Sequence, residues 1–149
     1  GCATKRVTEV PYLDTSLLVA AFTRERRTAE VQRWLSGQAP GQLVTSDWAA
    51  TEFSAALSMK VRMQHLAPAL RADVLAVFTR VMRETFVVLP VERGDFREAA
   101  RLADSHESGL RAGDALHLGI VANRGERLLS LDRVQVQAAT AAGISARLF

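Results

Sequence analysis

The chain has 149 residues, 48% hydrophobic and 23% charged, which is enough apolar side chain for one core and too balanced a composition for disorder. Its formal net charge of +3 is carried mostly by arginine, a residue suited to phosphate contacts, yet so mild an excess identifies no partner. The longest apolar runs, such as Leu17 to Phe22, are far too short to span a bilayer, no apolar leader opens the sequence, and the single cysteine, Cys2, excludes an intrachain disulfide framework.

These features favour a single cytoplasmic domain over residues 1–149, with 1–6 read as disordered or introduced by cloning. In chain order, Val7 to Leu13 reads as a strand ending at Asp14, after which Thr15 or Ser16 can cap a helix to about Thr23. A short helix follows over Thr28 to Leu35 and stops at Ser36-Gly37. Gln42 to Thr45 is a brief strand, and Ser46 caps a long helix from Asp47 to about Met63. Pro68 opens the next helix, with apolar residues at Leu70, Val74, Val77, Phe78, Val81 and Met82. Phe86 to Val91 is a valine-rich run that suits a strand buried on both faces. Helices are expected from Asp95 to His106 and from Leu110 to Asn123, the second ended by Asn123-Arg124-Gly125. Leu128 to Leu131 is a strand running into Asp132, Arg133 to Ala142 a helix ended by Gly143, and Ile144 to Leu148 a last strand. Strands alternating with helices predict a three-layer α/β/α domain around a mainly parallel sheet of four or five strands.

Four acids stand out. Asp14 and Asp132 each follow an apolar strand and precede a helix, so both belong at the carboxyl edge of the sheet, where ligands bind in such folds. Each also has an ordinary explanation as a helix N-cap. At about 100° per residue, Glu52 falls between Trp48 and Met59 on one side and Ala56 and Met63 on the other, near the middle of an apolar helix face, with Ser54, Ser58 and Val61 opposite. A glutamate so placed must be protonated, paired with an internal arginine, or bound to a cation. Asp114 sits at the head of a largely apolar helix, where the helix dipole is its simplest explanation, and Gly113 before it suggests a close approach. Together the four would repel one another without a cation. Oxygen ligands alone select Mg²⁺ or Mn²⁺, and the chemistry that fits is cation-assisted attack of water on a phosphodiester.

Asp14-Thr15-Ser16 after a strand, Glu52 in the third helix, Arg111 to Leu116 with its Gly-Asp-Ala-Leu segment, and Leu129-Ser130-Leu131-Asp132 occur in an order and spacing that resemble the PIN-domain ribonucleases, in particular the VapC-like toxins of toxin–antitoxin pairs. The resemblance runs from about Val10 to Leu148. It implies an endoribonuclease in which Asp14, Glu52, Asp114 and Asp132 hold one or two Mg²⁺ or Mn²⁺ ions, with Ser16 and Ser130 hydrogen-bonding a carboxylate from behind. It also implies an RNA substrate, a homodimer, and a cognate antitoxin that blocks the acidic pocket. Relatives often carry a further acid soon after the last aspartate; here Arg133, Val134 and Gln135 follow, which bears on a second metal position.

His117, one turn after Asp114, could touch substrate phosphate or the activated water, although a packed or surface histidine is the commoner case. His65 and His106 read as structural, Trp34 and Trp48 as core residues, and Asp47, Asp73, Asp95 and Asp104 as helix-start or surface acids. Arg24, Arg26 and Arg27, and Lys60 with Arg62, form basic clusters that could follow an RNA backbone or simply be solvated. Two other functions compete: a catalytically silent module of the same fold, and a phosphatase or dehalogenase with Asp14 as nucleophile. The second usually needs an acid two residues on, where this chain has Ser16.

Overall fold

The computed structural model describes residues 10–149, so the expected tail over 1–6 and the first part of the Val7–Leu13 strand lie outside the described residues. Five strands form one all-parallel sheet: β1 (Pro11–Leu13), β2 (Leu43–Ser46), β3 (Phe86–Leu89), β4 (Arg127–Ser130) and β5 (Ala146–Leu148), in the order β3-β2-β1-β4-β5. Among the described residues seven α-helices connect them: α1 (Thr15–Phe22), α2 (Thr28–Ser36), α3 (Asp47–Arg62), α4 (Pro68–Glu84), α5 (Arg93–Ala103), α6 (Ala112–Arg124) and α7 (Arg133–Ala141).

Period-two alternation of the strands divides the core in two. Leu13, Leu43 and Leu129 point to one face and pack with Leu17 and Leu18 of α1, Val31 of α2, Phe53 and Leu57 of α3, and Phe78 and Met82 of α4. Tyr12, Val44 and Leu128 point to the other face, against Ala99 and Leu102 of α5, the α6 run from Ala115 to Val121, and Ala138 and Ala139 of α7. Phe53 stacks on Phe78 at a centroid distance of 3.9 Å, with Phe22 edge-on to both.

Strand β3 departs from expectation. It is an edge strand hydrogen-bonded only to β2, and Val87 is exposed, so the continuous apolar run does not mark a strand buried on both faces. The face of α3 also differs: Ala49, Phe53 and Leu57 are its buried residues, Val61 packs beside them, and Met59 and Met63 are exposed. Glu52 therefore stands at the border of the core rather than in the middle of its face.

Helix α6 runs close against α5. A Cβ placed on Gly119 would lie 2.6 Å from the Asp95 carbonyl oxygen and 3.0 Å from the Ala99 nitrogen, both backbone atoms that cannot turn aside. Gly119→Ala is expected to destabilise the domain by about 1–3 kcal/mol, the usual cost of overpacking, read as a lower midpoint in denaturant unfolding. At the far end of α6, Gly125 adopts φ +67° as a left-handed cap, its N–H bonded to the Val121 carbonyl, and ends the helix where expected. Asp95 is not a surface acid. It is fully buried in a capping box with Glu92, and Asn123 and Arg124 of α6 donate to its carboxylate at 2.8 Å each. These contacts hold the carboxyl below its ordinary value against the upward push of burial. No helix among the described residues is long and apolar enough to cross a membrane.

Candidate active site

The chain runs outward from β1 through β2 to β3, then returns to lay β4 and β5 on the opposite side of β1. Between β1 and β4 the strand order reverses, and their carboxyl ends open the crevice in which such sheets bind ligands. Asp14 leaves β1 at this point with its backbone N–H bonded to the Leu129 carbonyl at 3.1 Å, so the two strands fix its position.

Asp14 occupies the N-cap position of α1, displacing the expected Thr15 or Ser16, yet its carboxylate makes no capping hydrogen bond. Instead its Oδ2 accepts the hydroxyls of Ser16 at 2.6 Å and Ser130 at 2.7 Å. Ser130 also accepts the Asp132 N–H at 2.9 Å, and Ser16 accepts that of Leu131 at 3.1 Å. The two serines thus tie the ends of β1 and β4 together behind one oxygen of Asp14, and neither serves as a helix cap. Asp14 is 5% exposed; its other oxygen, Oδ1, accepts no hydroxyl and lies 3.5 Å from His117 Nε2, in a position to meet a cation.

Glu52 reaches the same place from α3. Its Oε1 accepts the Thr15 hydroxyl at 2.7 Å and contacts the His117 Nε2 of α6. Among the described residues no arginine pairs with it: the partner is an imidazole. Burial pushes the Glu52 carboxyl up, but the hydrogen bonds from the His117 imidazole and the Thr15 hydroxyl bring it below its ordinary value. Ligand atoms of Asp14, Glu52 and His117 lie within 4.8 Å of one another, close enough for one ion.

Asp114 stands in the first turn of α6 facing this pair. Burial, then the charges of Asp14, Asp132 and Glu52, raise its carboxyl to about 6. Asp132 is the N-cap of α7, its Oδ1 accepting the N–H groups of Val134 at 2.9 Å and Gln135 at 3.3 Å. The ordinary reading of a strand-end aspartate thus holds for Asp132 and fails for Asp14, although the Asp132 charge also reaches Asp114. The tight grouping consists of Asp14, Glu52 and His117, with Asp114 and Asp132 beside it.

Gly113 makes room for Glu52. A Cβ there would lie 2.8 Å from Glu52 Oε2 and 3.4 Å from the Trp48 ring, whose Nε1 donates to the Gly113 carbonyl at 3.1 Å. The obstructed atom is the end of a flexible side chain, so Gly113→Ala is expected to leave stability within about 1 kcal/mol while displacing the Glu52 carboxylate. Thermal unfolding alongside a structure of the variant checks this, with unchanged melting and a shifted Glu52 carboxylate as the expected pair of results.

Residues 12–141 match the family model described as PIN domain. The chain belongs to the PIN-domain family. Solved structures share the fold of this PIN domain. VapC20 of Mycobacterium tuberculosis, described as a sarcin-ricin loop cleaving toxin, aligns over 90% of this chain and 95% of its own at 17% identity and a TM-score of 0.67. FitAcB of Neisseria gonorrhoeae aligns over 91% and 95% at 14% identity and 0.67. VapBC-5 of Mycobacterium tuberculosis, a toxin–antitoxin system, aligns over 94% and 98% at 24% identity and 0.56. No curated protein sequence matches significantly. Sequence reasoning named the acids and the serines of this PIN domain but gave no part to Thr15 or Tyr12. It mentioned His117 only as a side possibility, although Asp114 and His117 lie three residues apart, on one helical face.

Proposed function

We propose that this PIN domain is a Mg²⁺- or Mn²⁺-dependent endoribonuclease and the toxin of a toxin–antitoxin pair. The observation that carries the reading is the grouping of acids at the sheet switch point, with ligand atoms of Asp14, Glu52 and His117 within 4.8 Å of one another; burial, and then the charges of Asp14, Asp132 and Glu52, hold the nearby Asp114 carboxyl up at about 6. Such a cluster is costly in a protein without a counter-ion and is relieved by a divalent cation. The donor set fits one, because Asp14 and Glu52 each have one oxygen hydrogen-bonded to protein donors and a second that accepts no hydrogen bond, Asp14 Oδ1 lying 3.5 Å from His117 Nε2. When bound, Mg²⁺ or Mn²⁺ supplies the positive charge that makes a water nucleophilic at neutral pH and stabilises the leaving oxygen of a phosphodiester.

The side chains perform the rest. Asp14 and Glu52 present fixed oxygens, Asp114 would add a third carboxylate for the cation, and Asp132 adds negative charge from the cap of α7. Arg111, exposed at the N-cap of α6, and Arg133, exposed at the start of α7, flank the acids in sequence and supply positive charge for an RNA backbone. A cognate antitoxin belongs to the same reading, supported by neighbours described as toxin–antitoxin complexes or systems, and a homodimer is part of the proposal. Exposed Met59 and Met63 on α3, and Leu70 and Val77 on α4, provide apolar surface for such contacts.

The test is cleavage of a structured RNA by purified protein with Mn²⁺, with Mg²⁺, and with EDTA. Cleavage that requires the metal is expected. Metal-insensitive cleavage would overturn the site, and an intact RNA under all conditions would favour the silent binding module.

A further inference from the structure

Behind the carboxylates lies a line of fully buried polar side chains that the nuclease reading does not use. The Tyr12 hydroxyl of β1 stands 2.7 Å from Ser46 Oγ at the end of β2 and 2.7 Å from His117 Nδ1 on α6. Ser46 Oγ in turn accepts the Ala49 N–H at 3.3 Å as the cap of α3. At the other end, His117 Nε2 meets Glu52 Oε1 and lies 3.2 Å from the Thr15 hydroxyl. Tyr12, Ser46 and His117 are all 0% exposed, so each proton in the line must find its acceptor within the protein.

Counting protons fixes the direction of the whole line. An ionised Glu52 only accepts, so both Thr15 Oγ1 and His117 Nε2 donate to it. A neutral imidazole with its hydrogen on Nε2 has a bare Nδ1, which accepts from Tyr12; Tyr12 then accepts from Ser46, and Ser46 accepts from Ala49. Every donor and acceptor is satisfied. With the hydrogen on Nδ1 instead, the bare Nε2 lone pair would press against a carboxylate oxygen. A doubly protonated ring would turn the Tyr12 proton toward Ser46 and strand the Ser46 proton in a fully buried position. Burial, above all, raises the Tyr12 phenol far beyond its ordinary value and keeps it a donor.

We infer that Tyr12 locks His117 as the Nε2–H tautomer, so that His117 is the donor that orients Glu52 and not a ligand of the cation. The second half rests on the nuclease reading; the lock itself does not. His117 and Tyr12 are then positioning residues. Thr15 and His117 hold Oε1 of Glu52 as Ser16 and Ser130 hold Oδ2 of Asp14; Glu52 Oε2 and Asp14 Oδ1, the latter 3.5 Å from His117 Nε2, are the oxygens that would take the ion.

Long-range ¹H–¹⁵N spectra of the metal-free protein test the lock. The expected result is a protonated Nε2 and a hydrogen-bonded, unprotonated Nδ1 for His117, unchanged on addition of Mg²⁺, and a loss of that single pattern in Tyr12→Phe. A hydrogen on Nδ1, a doubly protonated ring, or loss of the Nε2 hydrogen with Mg²⁺ would overturn the inference. Mn²⁺ affinity, followed by electron paramagnetic resonance, supplies the second reading. His117→Leu is expected to weaken binding about 10- to 100-fold, as loss of an outer hydrogen-bond partner does. His117→Gln, which keeps an N–H donor, should restore affinity to within a few-fold of the native protein, and equal losses in both variants would sink the positioning role. If the native protein binds no Mn²⁺, the nuclease reading falls, while the tautomer spectrum still decides the lock. Tyr12→Phe is nearly isosteric and keeps the test open should His117→Leu not fold.

Discussion

Asp14→Asn is expected to lower metal-dependent RNA cleavage by about 10²- to 10⁴-fold, since a cation contributes several kcal/mol of charge stabilisation and each 1.36 kcal/mol is a factor of ten. The geometry explains why so small a change costs so much. Ser16 and Ser130 both donate to Asp14 Oδ2 and demand an acceptor there. In the variant the amide oxygen satisfies them, and the NH₂ group is turned into the site in place of the second oxygen, presenting hydrogens where a cation requires a lone pair. Folding is left nearly intact, because the two hydroxyl bonds survive and Asp14 caps no helix. Single-turnover cleavage with Mn²⁺, alongside thermal unfolding, separates the two effects; native-level cleavage by folded Asp14→Asn would remove Asp14 from the site.

Asp114→Asn should do something less common: abolish cleavage and stabilise the metal-free protein. The folded-state carboxyl is raised to about 6 by burial and by Asp14, Asp132 and Glu52. A carboxyl raised on folding carries no penalty at low pH, where it is protonated in both states. The penalty sets in as pH rises from the ordinary carboxylate range toward about 6, and is complete above that. At pH 7.5 the asparagine variant should therefore be more stable by about 1–2 kcal/mol, a figure reduced from the full shift because the group is partly solvated. At pH 4 the gain should largely vanish. Adding Mn²⁺ should raise the melting temperature of the native protein and have little effect on the variant. Denaturant unfolding at both pH values, with and without metal, measures all of this, and a variant less stable than native at pH 7.5 would contradict the charge argument.

The fold was legible because the chain is locally consistent. Ser46 before Asp47, Pro68, the Asn123-Arg124-Gly125 stop and Gly143 all punctuate elements where the structure places them. What misled was whatever depends on neighbours. Nothing in Phe86–Val91 tells an edge strand from a central one, because that distinction belongs to the strand order. The buried face of α3 was misjudged because Met59 and Met63 are apolar but project where no other element covers them. Glu52 was singled out for deep burial, yet it sits at a border; what distinguishes it is the company of Thr15 and His117. Of the acids, Asp132 does cap a helix and Asp14 does not, a difference decided by Ser16 and Ser130 turning toward Asp14. A hydroxyl's choice of partner across more than a hundred residues leaves no trace in local sequence.

The pairing of β1 with β4 has a consequence in time as well as in space. Asp14 takes its backbone anchor from Leu129 and a hydroxyl from Ser130, while His117 and Asp114 arrive on α6 just before them. A chain emerging from the ribosome therefore exposes Asp14 and Glu52 long before it possesses the strand that aligns them. Because non-local pairing must wait for the distant partner to be made, the nascent polypeptide holds Asp14 without its Leu129 and Ser130 partners until β4 has emerged.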